Sequence, residues 1–374
     1  MEHLKNDLMT VIDKSENEEA QYYDMIVFCH LRWQFVYQRP QHIISRMANE
    51  MKVLLIEEPI PFNEGEENSA AITEVTPQLH VLQPKVRNIE AISEILPKYV
   101  LNKTVPVGWF YSASFSPLLN SVSFDTVVYD CMDELSLFKG APQSLIDQEK
   151  YLLANADIVF TGGKSLYESK KEMHYNVYCF PSSVDEAHFA QARNGIAIPE
   201  DIAGIKWPIV GYFGVIDERI DLDLIRESAR KLPDVSFVMI GPLAKIDDSD
   251  LPKANNIHYL GMKSYDVLPA YLKAFDIAMM PFALNDATKF ISPTKTLEYM
   301  AAGKPIISTK IKDVVRDYSH CVKIIETPEE FCHAISAVKE NSTERVISYK
   351  EILKNTSWDT TAEKMKTIIK STAL

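Results

Sequence analysis

The densest concentration of chemically useful residues is Ser292-Pro293-Thr294-Lys295-Thr296-Leu297-Glu298, which runs on through Tyr299-Met300-Ala301-Ala302-Gly303-Lys304-Pro305. Pro293 suits the first turn of a helix, and Gly303 with Pro305 would end it. Lys295, Thr296 and Glu298 then fall in the opening turns. A helix N-terminus offers free N–H groups and the positive end of the helix dipole, which together attract phosphate. Ser292, Pro293, Thr294, Lys295 and Thr296 are therefore candidates for a phosphate-bearing ligand, with Lys295 adding a mobile charge. Glu298 can accept hydrogen bonds from sugar hydroxyls such as those of a ribose. The same stretch also reads as an ordinary capped core helix with Lys295 and Glu298 in solvent.

Arg219 follows the apolar run Ile209–Phe213 and precedes a helix expected near Asp221. A cation at the carboxyl end of a strand faces a cleft and can stabilise a leaving diphosphate. Preorganised donors of that kind are worth on the order of 10²–10³ in rate. The alternative is a surface arginine paired with Asp217 or Glu218. Asp221-Leu222-Asp223 has the look of a metal-binding Asp-x-Asp, but acids at a helix start serve as caps. No His or Cys cluster has metal-ligand spacing. No metal is expected, and protein cations would take its place.

A second set lies near the N-terminus. His30, Arg32, Trp33 and Arg39 follow the first apolar run. His30 could act as a general base or contact a sugar, or be a hydrogen-bonded structural residue. Gln38, Arg39 and Gln41 could hold hydroxyls or an acceptor phosphate, or simply open a helix near Pro40. Asp130, Asp133 and Glu134 come directly after the run Thr126–Tyr129 and share that edge, with Asp133 equally readable as a structural cap.

Short apolar runs must position these groups. They are Met25–Phe28, Val53–Ile56, Val107–Phe110, Thr126–Tyr129, Ile158–Phe160 and Val177–Phe180, then Ile209–Phe213, Val235–Ile240, Ile257–Leu260, Ile277–Met280, Pro305–Ser308 and Val322–Ile325. Runs of four to six β-branched and aromatic residues without polar alternation read as strands buried on both faces. Amphipathic stretches such as 38–51 and 142–156 lie between them. Strand–helix alternation predicts parallel sheets with helices on both sides, and ligands bind beyond the carboxyl ends of such strands. The pattern pauses over 185–208, which divides the chain into two doubly wound α/β units. The expected boundaries are an acidic extension over 1–22, a first domain over 23–200, a second over 201–345, and helices over 346–374. Thr360 and Glu363 have capping-box spacing after Trp358.

Composition sets the frame. The chain has 374 residues, of which 46% are hydrophobic and 24% charged, the balance of a soluble globular protein. Its net charge of −13 argues against general nucleic-acid binding. It does not exclude an anion in one local basic pocket. The longest apolar runs are far short of the 18 residues needed to span a bilayer. Residues 2–19 carry six acids and two lysines where a signal peptide needs a basic start and an apolar core. Five cysteines without CxxC spacing fit a reduced compartment.

The Ser292–Pro305 stretch resembles the donor-site signature of nucleotide-sugar glycosyltransferases of the GT-B fold, in the large group called family four. Ala274-Phe275-Asp276-Ile277-Ala278-Met279-Met280-Pro281, Val238-Met239-Ile240-Gly241-Pro242 and Phe180-Pro181-Ser182-Ser183-Val184-Asp185 are similar to other family segments. Ser357-Trp358-Asp359 resembles the start of a final helix that crosses back to the first domain. Trp33-Gln34-Phe35-Val36-Tyr37-Gln38-Arg39-Pro40-Gln41-His42, with Tyr129-Asp130-Cys131-Met132-Asp133-Glu134, is similar to a bacterial subgroup that includes teichuronic-acid and other surface-polysaccharide glycosyltransferases. The resemblance spans about Tyr23 to Trp358.

It implies two Rossmann-like domains facing a cleft, with Arg219 and Lys295 on the donor diphosphate. Gly214 would lie beside them. The base would sit against Gly261, Met262 and Lys263, next to Gly241-Pro242-Leu243. Two departures stand out. The family's second Glu falls at Phe290 here, leaving Asn285 or Asp286 as replacements. The family's Arg after the Phe213-Gly214 glycine is Val215, and its later Lys corresponds to Arg219.

The implied activity is metal-independent transfer from a nucleoside diphosphate sugar, a UDP-sugar, to a glycan or lipid-linked acceptor. Retention would need no external base, because the leaving phosphate takes the acceptor's proton. Inversion would need one, drawn from Asp130, Asp133, Glu134 or His30. The enzyme is expected in the cytoplasm, with peripheral membrane association open if the acceptor is lipid-linked. A nucleotide-sugar epimerase of the same fold and a non-catalytic nucleotide-sugar or glycan binder stay open. A dehydrogenase fits poorly, because no G-x-G-x-x-G follows a strand.

Overall fold

The computed structural model describes residues 20–338 and 343–372. The acidic extension lies outside the described residues as far as Glu19. Strands β1 (Met25–Cys29), β2 (Val53–Glu57), β3 (Ser69–Thr76), β4 (Leu79–Lys85), β5 (Thr104–Phe110), β6 (Ser123–Cys131), β7 (Ile158–Thr161) and β8 (Val177–Cys179) form one sheet. Their spatial order is β3-β4-β2-β1-β5-β6-β7-β8. A second sheet holds β9 (Ile209–Phe213), β10 (Ser236–Ile240), β11 (Ile257–Tyr259), β12 (Ile277–Met280), β13 (Ile306–Thr309) and β14 (Lys323–Ile325), ordered β11-β10-β9-β12-β13-β14. Every pair is parallel except β3–β4.

Two doubly wound sheets match the expectation. The antiparallel β3–β4 edge does not, because these strands lack a continuous apolar run. β3 alternates between exposed and half-buried residues, as an edge strand facing solvent should. In the interior strands successive residues feed opposite faces. Ile26 and Phe28 enter one core of the first sheet, while Met25, Val27 and Cys29 enter the other.

The stretch 185–208 holds no strand but folds into helices Glu186–Ala190 and Glu200–Ala203. Phe189 and Ile202 are fully buried in the core of the second domain. The tail divides as well. Tyr349 and Leu353, on helix Thr343–Leu353, join the second core, so only the last helix, Trp358–Thr372, returns to the first domain. Its Trp358, Ala362, Met365 and Ile369 seal one face of the first sheet. Ser357 caps this helix by accepting from the Asp359 and Thr360 amides at 3.2 and 3.5 Å. Thr360 therefore lies inside the helix and is not its cap.

In both sheets the strand order reverses beside the first strand of the domain, at β1/β5 and β9/β12. Ligands in open α/β sheets bind outside such switch points. One cleft connects the two mouths, lined from both domains.

Candidate active site

Two glycines bring the second-domain loops together. Gly214, after β9, has φ +139°, and a β-carbon there would collide with the Lys295 side chain. Gly241, after β10, has φ +147°, and a β-carbon there would strike the Gly214 carbonyl. Only glycine takes these positions without strain. Lys295 thereby reaches the end of β9, with its Nζ 5.7 Å from the Tyr212 ring centroid.

The helix Lys295–Ala301 is short, seven residues, and begins two positions after Pro293. Its dipole is correspondingly small, and the charge in the cleft comes mainly from side chains. Lys295 has no carboxylate within ion-pair distance among the described residues. Burial lowers its amine from the ordinary lysine range, with Glu298 pulling it up and Arg219 pushing it down. Glu298 is 7% exposed, and burial raises its carboxyl to about 7 against the pull of Lys295. Ser292, Pro293 and Thr294 also line the cleft. Thr294 Oγ1 donates to Ser182 Oγ at 3.0 Å, and Ser182 Oγ to the Ser292 carbonyl at 2.9 Å. Thr296 does not reach the cleft: it is fully buried, and its hydroxyl meets Met280 Sδ at 3.3 Å.

Arg219 lines the cleft and is also held by Asp217, with contacts of 2.7 to 3.1 Å. Burial opposes its charge, but the hydrogen bonds and negative charge of Asp217 outweigh this and keep it cationic. The two sequence readings of this arginine are thus one arrangement, an aimed cation braced by its own loop. Asp221 caps the next helix, accepting from the Leu224 amide at 2.8 Å. No group of three or more His, Cys, Asp or Glu placed to hold a metal ion occurs among the described residues.

Asp133 lines the cleft opposite Arg219. Burial raises its carboxyl, and the attraction of Arg219 offsets part of that. Gln38 and Arg39 line it too, but Arg39 is committed to the fully buried Asp130, at 2.9 to 3.2 Å, and to the Phe180 carbonyl at 2.8 Å. Asp130 is therefore a buried counter-ion and not a ligand contact. Arg32 is turned away onto Glu57, at 3.1 Å, and the Glu58 and Pro59 carbonyls. Trp33 is fastened by its amide to Glu57 at 2.7 Å, and neither residue lines the cleft. Glu134 pairs with buried Lys170 at 2.7 Å. Gln41 holds the loop, donating to the Trp33 carbonyl at 2.9 Å.

His30 lies outside the cleft lining. Burial lowers its imidazole to about 4, Lys245 adds to this, and its buried Nδ1 has no partner among the described residues. Asn285 also stays out of the cleft. It caps the turn Asp286–Thr288 and donates to the Glu218 carbonyl at 2.9 Å. Phe290 packs against the core of the first domain, so this position does interdomain packing and not carboxylate chemistry.

Gly241, Met262 and Lys263 line the far end. The Lys263 amine is occupied by Asp201 at 2.6 Å. An aromatic group there was not foreseen. Tyr37 and His42 of the first domain meet Tyr265 of the second, with ring centroids 4.6 and 5.3 Å apart. His42 stacks on Trp358 at 4.7 Å and 10°. Tyr37 and His42 lay within a noted segment, but Tyr265 carries no local signal, because only folding sets it opposite Tyr37.

Comparisons with known proteins bear on the family and the fold. The family model of the group 1 glycosyl transferases matches residues 208–341. A putative teichuronic acid biosynthesis glycosyltransferase of Bacillus subtilis (strain 168) is 25% identical over 232 residues, 54% of this chain and 55% of that protein. The aligned region is thus about half of each. Sucrose-phosphate synthase from Thermosynechococcus elongatus superposes with a TM-score of 0.68 at 14% identity, over 93% of this chain and 98% of that one. Anabaena HepE in complex with UDP and glucose gives 0.65 at 13% identity, over 94% and 100%. The structural likenesses show the fold.

Proposed function

We propose that this GT-B glycosyltransferase, whose residues 208–341 match the group 1 family, moves a sugar from a nucleoside diphosphate donor, a UDP-sugar, to a glycan or lipid-linked acceptor of a bacterial surface polysaccharide. The observation that carries this is Lys295, a half-buried lysine without a carboxylate partner among the described residues, beside braced Arg219. Burying a cation without a counter-charge is costly. A diphosphate supplies the missing charge, and most strongly as the sugar bond breaks and charge develops on the leaving oxygen. Glu298, between this pair and the aromatic end, is placed for the ribose hydroxyls. Two protein cations take the role of a metal. The teichuronic-acid relative supports the acceptor class, and the UDP complex of the Anabaena neighbour supports the donor class.

We assign retention, in which the leaving diphosphate oxygen takes the acceptor hydroxyl's proton as the new glycosidic bond forms. Asp130 and Glu134 are engaged in ion pairs and His30 lies outside the cleft lining, which leaves Asp133 as the candidate base for inversion. The test is calorimetric titration of UDP, ADP and GDP with and without EDTA, followed by turnover of UDP-sugars. UDP binding that survives EDTA is expected. Binding that requires a divalent ion, or no nucleotide binding, overturns the reading. Asp133→Asn should leave turnover within about tenfold, and its abolition would point to inversion.

A further inference from the structure

We propose that Phe138, from the first domain, is a positioning residue for Arg219: its ring backs the guanidinium across the domain boundary, and the loop that carries it straps the two domains together. This rests on the donor reading above, in which Arg219 holds the diphosphate.

The loop joins β6 to the helix Ser144–Asn155 and is fastened to the first domain on both sides of its tip. Glu134 pairs with buried Lys170 at 2.7 Å and accepts from Ser136 Oγ at 3.2 Å. Leu135 and Ala141 pack on the first core. The tip, Phe138-Lys139, reaches the second domain. The Lys139 amide donates to both oxygens of the Glu218 carboxylate, at 2.9 and 3.2 Å, and the Glu218 carbonyl is held in turn by Asn285 at 2.9 Å. The centroid of the Phe138 ring lies 5.5 Å from Arg219 Cζ and 5.2 Å from Lys245 Nζ. Two second-domain cations thus share one first-domain ring.

The kind of brace matters. Arg219 commits Nε and Nη2 to Asp217, and its Nη1 is neither paired nor buried among the described residues. Its side chain remains 24% exposed where it lines the cleft. A second carboxylate in place of Phe138 would take Nη1 and cancel the charge. An aromatic ring attracts a guanidinium through its quadrupole and accepts none of its in-plane N–H groups. The ring therefore restrains Arg219 and leaves both its charge and its remaining donor for a phosphate. Asp217 alone leaves the guanidinium on a flexible side chain anchored within one loop, and ordering such a side chain costs entropy when the ligand arrives. Phe138 removes part of that cost in advance. Because ring and arginine belong to different domains, separating the domains would withdraw the brace and weaken the hold on the donor.

The test is isothermal titration of UDP into wild type, Phe138→Leu, Phe138→Tyr, Arg219→Ala and the variant carrying both Phe138→Leu and Arg219→Ala. Leucine keeps the apolar bulk and removes the aromatic face, whereas tyrosine keeps both. Arg219→Ala should weaken UDP at least about tenfold, equivalent to about 1.4 kcal/mol. Phe138→Leu should weaken it about fivefold, within the range of a cation on an aromatic face, and Phe138→Tyr should stay within about twofold of wild type. The double variant should bind no more weakly than Arg219→Ala alone, because a brace has no effect once the group it holds is gone. The proposal is overturned if Phe138→Leu binds UDP as wild type does, or if Phe138→Tyr is as weak as Phe138→Leu. It is also overturned if the two losses multiply in the double variant, which would make the ring act through Lys245 or through packing. Arg219→Ala that binds UDP as wild type does overturns the donor reading itself.

Discussion

The two walls of the cleft treat their charges differently. On the first-domain wall most charged groups at the strand ends are consumed by one another: Arg39 by Asp130, Arg32 by Glu57, Glu134 by Lys170. On the second-domain wall half-buried Lys295 and buried Glu298 have no such partners among the described residues, and Arg219 is braced yet still faces the cleft. A strand edge supplies candidates on both walls. A free valence, and not position alone, separates a binding group from a structural one. Paired charges hold the wall in shape, and unpaired ones wait for a ligand.

This contrast can be broken by mutation. The largest effect is expected for Arg39→Ala, which strands the fully buried Asp130 carboxylate. Breaking a buried pair costs about 3–5 kcal/mol, and denaturant unfolding should show a loss of that order; a change below 1 kcal/mol would mean that the pair is not structural. Lys295→Ala should do the reverse. Stability should hold or rise, because no ion pair is lost, while kcat falls on the order of 10²–10³-fold, as for other preorganised donors. Equal kcat in variant and wild type would remove Lys295 from the reaction.

Glu298→Gln sharpens the comparison through pH. Its carboxyl is raised from 4.5 to about 7, so it favours the fold fully below pH 4.5 and loses that contribution as pH rises through 7. At pH 8 the variant should be more stable than wild type by up to about 3 kcal/mol, with the difference shrinking toward pH 5. Melting curves across that range check the sign, and a pH-independent difference would refute the assignment. Glu298→Ala should weaken nucleotide binding. The smallest effect is expected for Asp359→Ala. That residue pairs with Arg46 from an exposed position, 79% accessible, and such pairs contribute at most about 1 kcal/mol. Equilibrium unfolding should barely distinguish it from wild type.

Much of the architecture was legible in the residues. Twelve of the fourteen strands were marked by apolar runs, because strands buried on both faces must be apolar throughout. The edge strand β3 was not, since its exposed face relieves that demand, and β4, though mostly buried, is interrupted by His80, Gln83 and Pro84. Part of the second-domain wall was legible for a related reason. Lys295 and Glu298 follow β12 in one local loop–helix order that brings both to the cleft, whereas Gly214, after β9, was expected beside them from the resemblance alone. Arg32, Trp33, Asp130, Asn285 and Thr296 were expected in the cleft and are engaged elsewhere. Arg39 and Asp130 lie 91 positions apart, so nothing local to either announces the other.

By itself the sequence determined the two α/β units, the strands whose carboxyl ends meet at a cleft, and the residues available there. Hydrophobic runs and glycine placement are local properties that every folding route must satisfy. Only the tertiary structure decided which of those residues keep a free valence, and that Tyr37, His42, Tyr265 and Trp358 would meet. Desolvation and pairing depend on what arrives from distant positions, and the pairing of a charge or a ring is settled by its neighbours in space.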